Sequence, residues 1–125
     1  MSQERPNILY VGRYERGQML QAKVEKRGWH LYLPLDTLDA LAMHVFYYPD
    51  ITVIDTAAKC HTGTEVYFHL RSARARPLLI LAREDQLDRW GVPSDSTVRV
   101  LPHTLCDEDL IAAIEDLVLW SKTVG

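Results

Sequence analysis

The sequence has little cysteine and no long apolar run at its start. Cys60 and Cys106 are its two thiols, and they follow no CxxC or metal-ligand spacing, so no disulfide framework is expected. The N-terminal segment MSQERPNILYVG lacks the apolar stretch of a signal peptide or a membrane span. These features predict a reduced, cytoplasmic protein that has no membrane partner.

An excess of positive charge is also missing. The chain has 14 basic and 17 acidic residues, so it has no net positive field that would attract a phosphate backbone. Its one basic cluster, Arg71, Arg74 and Arg76, falls where a helix is predicted to end, and cations are stabilised near the negative pole of a helix dipole. Nucleic acid is therefore not an expected partner.

Recognisable catalytic patterns are absent too. The segment GRYERG after the first predicted strand has glycines only at its ends, too few to wrap a pyrophosphate. Cys60 and His61 are adjacent on a loop, where side chains rarely point at each other as nucleophile and base must. The histidines show no HxH, HxxH or HExxH spacing. We expect no cofactor, no metal site and no enzymatic activity.

The chain is long and apolar enough to form one domain with its own core. It has 125 residues, of which 47% are hydrophobic, and no internal repeat or Gly/Ser-rich linker divides it. We predict an N-terminal tail over 1–5, a domain over 6–121 and a C-terminal tail over 122–125. No DNA-binding effector domain is expected after the last helix.

Short β-preferring runs alternate with helical patterns along the chain. Strands are predicted over 7–11, 29–33, 50–55, 78–82 and 97–101. Helices are predicted over 13–28, 36–48, 64–73 and 107–122, with a short or irregular fourth piece over 84–91. Strands that alternate with helices predict an α/β fold with a doubly wound parallel sheet, because parallel neighbours need crossover connections.

The helical spacing also predicts which side chains face the sheet. In the first helix they are Met19, Leu20 and Val24. In the second helix they are Leu38, Leu41, Ala42 and Val45, and the Tyr47-Tyr48 pair is expected to pack on the sheet. In the last helix they are Leu110, Ile111, Ile114, Leu117 and Val118.

The strand ends resemble the receiver domain of response regulators in two-component signalling. The segment PDITVID (49–55) is similar to that family's third strand, which ends in the phosphoacceptor aspartate, here Asp55. Gly63 stands where the family has a loop glycine, RPLLILA (76–82) resembles its fourth strand, and Pro102 matches the proline after its fifth. The resemblance covers residues 6–121 and implies a flavodoxin-like five-stranded sheet of order 2-1-3-4-5. It also implies a signalling role with a kinase or effector as partner.

The departures from the family pattern fall on the groups that support phosphorylation. The place of the two adjacent acids that hold Mg²⁺ in receivers reads Gly12-Arg13, and one carboxylate beside a guanidinium is a poor site for a hard cation. The other replacements are Lys59 for the loop proline, Ala82 for a threonine or serine, and Leu101 for the lysine. Phosphoryl transfer needs positive charge around the phosphoryl oxygens. We therefore expect no ordinary phosphorylation of Asp55.

Arg13 leaves three interpretations open. It could form a fixed salt bridge with Asp55 that replaces the phosphorylation switch. It could instead point to water, or bind the phosphate of a ligand.

Two functional hypotheses follow from the resemblance and its departures. In the first, the chain is an atypical receiver, a pseudo-receiver, that acts by phosphorylation-independent contact with a protein partner or with itself. In the second, Asp55 keeps residual phosphoacceptor activity in a phosphorelay. Three large apolar residues do not belong to the predicted core, and we expect them to form a protein interface: Trp90, Leu119 and Trp120.

Overall fold

The computed structural model describes residues 6–56, 77–83, 85 and 98–124, with side chains of the last helix described through Leu119. Its five strands are β1 (Asn7–Val11), β2 (His30–Tyr32), β3 (Ile51–Asp55), β4 (Leu78–Ala82) and β5 (Val98–Pro102). The described helices are α1 (Tyr14–Glu25), α2 (Thr37–Tyr47) and α3 (Asp107–Val124). None of these helices combines the length and apolar character that crossing a membrane requires.

All five strands are parallel and lie in the order β2-β1-β3-β4-β5. The predicted fold class and strand order are therefore confirmed. The chain moves to one side of β1 to make β2 and to the other side to make β3, so the strand order reverses between β1 and β3. Val11 pairs with Ile54 in that register, which places Gly12 beside Asp55 just past the end of β1.

The sheet is covered on both faces, which explains its unbroken apolar strands. Ile8 and Tyr10 of β1 point into a cluster with α1 and α3, while Leu9 and Val11 point into the opposite cluster with Ala40 of α2. β3 and β4 are buried along their whole length, whereas β5 at the edge is only partly buried. The carboxyl ends of β1 and β3 are thus held on a rigid support.

The helix faces predicted for α1 and α3 are mostly correct. In α3 all five predicted core residues are buried, and in α1 Leu20 and Val24 are buried. The prediction that Met19 faces the sheet is wrong, because Met19 is 61% exposed. The buried side of α1 begins instead at Gly17, where a Cβ would lie 2.3 Å from Leu33 Cδ2, so the spacing that faces the sheet runs through 17, 20 and 24.

The predicted core face of α2 is wrong for three of its four residues. Leu38 and Val45 are 78% and 70% exposed and Ala42 is also exposed, whereas Leu41 is partly buried against the cluster that contains Ala40, the one buried residue of α2. A helical spacing defines a stripe but not which side meets the sheet, and α2 has apolar residues on more than one side.

The prediction for the tyrosine pair at the end of α2 is confirmed for Tyr47, whose ring packs on a residue of β2. Both Tyr47 and Tyr48 are nevertheless about half exposed. The ring of Tyr47 stacks on that of Tyr32, with centroids 4.4 Å apart.

The bounds of β1 and β4 are as predicted, and those of the other described elements differ from the predictions by at most three residues. β5 begins and ends one residue later than predicted, so Pro102 is its last residue and pairs with Ala82. α3 continues to Val124, so most of the predicted C-terminal tail is helical. The predicted helices over 64–73 and 84–91, the second of which includes Trp90, lie outside the described residues.

Candidate functional site

The candidate site lies at the carboxyl edge of the sheet, where the strand order reverses. β3 ends in Asp55, β1 is followed by Gly12 and Arg13, and β4 ends in Ala82. Ligands of open α/β sheets bind at this edge and at this reversal. The predicted site residues on β1, β3 and β4 are therefore brought together as the parallel topology requires.

Asp55 is buried and its carboxylate is bonded. Its side chain is 0% exposed, and Oδ2 accepts hydrogen bonds from Arg13 Nε at 2.8 Å and from the Tyr10 hydroxyl at 2.9 Å. The side chain of Arg13 is 42% exposed, so the guanidinium joins a buried carboxylate to the surface. Of the three interpretations of Arg13, the salt bridge with Asp55 is the one present, and Arg13 does not simply point to water.

Tyr10 is a site residue that the sequence reasoning missed. Its ring is buried in the core on β1, and its hydroxyl reaches the Asp55 carboxylate. Burial raises the pKa of Tyr10 well above its usual range, and the neighbouring carboxylate raises it further, so the phenol stays neutral and donates a hydrogen bond to Oδ2. A usable signal existed, because a tyrosine inside a buried strand needs a partner for its hydroxyl.

Gly12 allows the end of β1 to lie directly against Asp55. Its φ is +148°, a region that side-chain-bearing residues rarely adopt. A Cβ built there would lie 2.5 Å from Asp55 Cβ and 3.0 Å from the Asp55 carbonyl oxygen. The place that carries an acid in the resembled family therefore has no room for a side chain in this backbone.

The donor set at this edge does not fit Mg²⁺. A hard cation requires several oxygen ligands, and the Asp55 carboxylate is already bonded to a guanidinium. Within the described ranges, no group of three or more histidine, cysteine, aspartate or glutamate side chains lies close enough to hold a metal ion. The described residues at this edge therefore do not form a site for Mg²⁺.

Two other predicted pocket positions, Ala82 and Leu101, carry no group that could assist phosphoryl transfer. Ala82 is fully buried and has no hydroxyl, and Leu101 packs against the core cluster shared with α1 and α3. The hydroxyl next to Asp55 in sequence, that of Thr56, donates to the Leu81 carbonyl at 2.8 Å. Lys59 lies outside the described residues.

Basic residues of α1 fix the loop after β5, which the sequence did not indicate. The Arg16 guanidinium donates to the His103 and Leu105 carbonyls and lies 3.7 Å from the Asp107 carboxylate. Lys23 forms a second link to Asp107 at 3.2 Å. A shallow cavity of about 640 Å³ lies between the start of α1 and this loop, and Arg13 is on its wall.

Of the predicted interface residues, Leu119 is the one whose side chain is described. It is 49% exposed and borders a cavity of about 170 Å³ with Pro6 and Trp29, below the amino ends of β1 and β2. Trp90 and the side chain of Trp120 lie outside the described part of the chain. The interface stays a prediction.

Comparison with solved structures finds receiver domains of response regulators. The receiver domain of the Francisella response regulator 1452 is 21% identical, with a TM-score of 0.74 over 94% of this chain and 99% of that one. The chemotaxis response regulator CheY4 of Vibrio cholerae is 19% identical, with a TM-score of 0.73 over 91% and 99%. The BeF3-activated N-terminal receiver domain of Klebsiella pneumoniae RstA is 16% identical, with a TM-score of 0.74 over 90% and 97%.

No protein-family model matches the chain, and no curated protein matches it in sequence. At these identities the structural similarity defines the fold, which is that of response-regulator receiver domains.

Proposed function

We propose that this chain is a pseudo-receiver that acts in cytoplasmic signal transduction through protein contacts that do not depend on phosphorylation. It has no catalytic role of its own in this proposal. Its partner is a kinase or effector protein, or a second copy of the chain. The receiver fold supports the signalling part of the proposal, and the site at Asp55 supports independence from phosphate.

The observation that carries the proposal is the state of the Asp55 carboxylate. Oδ2 accepts hydrogen bonds from a permanent cation, Arg13, and from a neutral phenol, Tyr10, while the side chain has no exposed surface. A phosphodonor would have to reach a carboxylate that is buried and whose Oδ2 is held by the guanidinium. In the proposed role, the Arg13–Asp55 pair holds one arrangement of the sheet edge permanently.

The second candidate is a residual phosphoacceptor at Asp55. The half-exposed guanidinium of Arg13 favours it, because this cation could turn outward and stabilise phosphoryl oxygens where other receivers use a metal and a lysine. This function requires Asp55 to become exposed, and it requires transfer without a fitted cation site.

A titration with Mg²⁺ and beryllofluoride, a phosphoryl mimic, separates the two candidates. We expect no saturable change in the amide resonances of Gly12, Arg13 and Asp55 up to millimolar Mg²⁺, with or without beryllofluoride. The matched control is Asp55→Asn, which removes the acceptor charge and keeps the side-chain shape. Saturable shifts in the unaltered chain that are lost in Asp55→Asn would support the phosphoacceptor and contradict the pseudo-receiver.

A further inference from the structure

Helix α2 presents a large apolar face to solvent. Leu38, Val45 and Phe46 are 78%, 70% and 82% exposed, and Leu35, just before the helix, is 84% exposed. Ala42 between them is exposed as well. A helix of a monomeric domain normally turns its apolar stripe to the core, so this outward stripe needs another explanation.

The spacing of this stripe is that of a helix-packing seam. Within the helix, Leu38, Ala42 and Val45 follow one another at intervals of four and three residues, Phe46 flanks them, and Leu35 lies just before the helix start. This interval pattern places side chains along one line that another helix can meet. We call these five residues the α2 seam. Ala40, on the opposite side of the helix, packs toward the sheet.

Both ends of the seam are held in place by local hydrogen bonds and backbone geometry. The Asp36 carboxylate accepts from the Asp39 backbone N–H at 2.8 Å, and the Asp39 carboxylate accepts from the Leu35 backbone N–H at 2.9 Å. This reciprocal capping fixes the chain that carries Leu35. At the other end, Tyr48 closes the helix in the left-handed conformation with φ 55°. The exposed seam is therefore an ordered surface of a capped helix.

We propose that the α2 seam binds the α2 seam of a second copy of this chain, antiparallel across a two-fold axis at Ala42. Leu38 and Phe46 each lie four residues from Ala42, on opposite sides. In an antiparallel pair, Leu38 of one copy meets Phe46 of the other, and the two alanines face each other. A two-fold interface requires such self-complementarity, and small residues at its centre let the helices approach closely.

The size and charge of the seam suit a second copy. At about 200 Å² for a fully exposed aromatic side chain and roughly 100 Å² for an aliphatic one, the exposed fractions amount to about 400 Å² of apolar surface. A standard interface takes roughly 800 Å² from each partner, of which about 65% is apolar in homodimers, so the seam supplies most of what is needed. Its five side chains are uncharged, and the two acids at its start, Asp36 and Asp39, both accept hydrogen bonds from backbone N–H groups.

The α2 seam is a better candidate for the dimer interface than the region around Leu119. Among the described side chains of that predicted interface, Leu119 is half exposed and borders a cavity within its own chain, beside Glu115. The proposed dimer goes beyond the proposed function and does not depend on the state of Asp55. A result that contradicts the dimer therefore does not contradict the pseudo-receiver proposal, and the reverse also holds.

Sedimentation velocity over a range of concentrations tests the dimer. We expect the mass to rise from the chain mass of 14.4 kDa toward twice that value. Leu38→Glu and Phe46→Glu should each weaken association at least tenfold, because two charges would be buried per dimer. Met19→Glu, at another exposed apolar position, and Leu119→Glu are the matched controls and should leave it unchanged.

Cross-linking through the proposed axis gives a second test. In a chain whose Cys60 and Cys106 are replaced by serine, Ala42→Cys should form a disulfide-linked dimer on mild oxidation, and Met19→Cys should not. Circular dichroism checks that each variant is folded. A chain that stays monomeric at millimolar concentration would overturn the proposal, and so would a dimer that Leu119→Glu dissociates while Leu38→Glu does not.

Discussion

Replacing Arg13 by alanine removes a charged partner from a carboxylate that has no exposed surface. The Arg13 Nε to Asp55 Oδ2 distance is 2.8 Å, and the Asp55 side chain is 0% exposed. Removing one partner of a fully buried ion pair costs roughly 3–5 kcal/mol. Arg13 itself is 42% exposed, so solvent already screens the guanidinium, and we expect a smaller loss of about 1–3 kcal/mol in the free energy of unfolding.

Urea denaturation of four chains separates the Arg13–Asp55 interaction from the other effects of removing the arginine side chain. They are the unaltered chain, Arg13→Ala, Asp55→Asn and the double variant. Because Asp55→Asn removes the charge that Arg13 contacts, the double variant should lose about 1–2 kcal/mol less than the sum of the single losses. Arg13→Lys should recover part of the loss, since it keeps the charge without the Nε donor.

Arg83→Ala is the matched control for removing an arginine at the same edge of the sheet. Arg83 lies 3.4 Å from Asp85, but both side chains are more than half exposed, so its loss should stay within about 0.5 kcal/mol. If Arg13→Ala behaves like Arg83→Ala, and the double variant shows additive losses, the fixed salt bridge contributes nothing and the reasoning is refuted.

Two further predictions concern the other groups around Asp55. Burial raises the pKa of Tyr10 in the folded chain, whereas in the unfolded chain this tyrosine ionises near its ordinary pKa of about 10. The hydroxyl's hydrogen bond therefore contributes fully to the free energy of unfolding below that pH, and the contribution is lost as the pH rises above it. In urea denaturation the stability advantage of the unaltered chain over Tyr10→Phe should therefore shrink between pH 8 and pH 11, and a constant advantage would contradict this. Gly12→Ala should cost about 2–5 kcal/mol from backbone strain and the clash with Asp55, and a thermal melt unchanged from that of the unaltered chain would show that the strand ends can separate freely.

The sheet and the edge that holds the site could be predicted because they depend on short-range patterns. Apolar runs that alternate with helical stripes define the strands, and parallel strands bring their carboxyl ends to one edge. Arg13 follows β1 and Asp55 ends β3, so their contact follows once the two strands are neighbours. The positive φ of Gly12 adds the close approach that makes this contact short.

The role of Tyr10 and the outward face of α2 could not be predicted from short-range sequence patterns. A tyrosine within an apolar strand alternates like any core residue, and only the packed structure shows which polar group its hydroxyl meets. In α2 the stripe through Leu38 and Val45 has the spacing of a core face, but Ala40 on another side of the helix faces the sheet. When a helix has two apolar sides, the choice between them depends on long-range packing.

The most direct test of the account is the intact mass of the chain after incubation with acetyl phosphate and Mg²⁺. The account predicts no added phosphoryl group, because the Asp55 carboxylate is buried and bonded to Arg13 and Tyr10. A receiver domain that accepts phosphate, treated in parallel, controls for active reagent. A mass gain of one phosphoryl group that appears in the unaltered chain and is absent in Asp55→Asn would contradict the account.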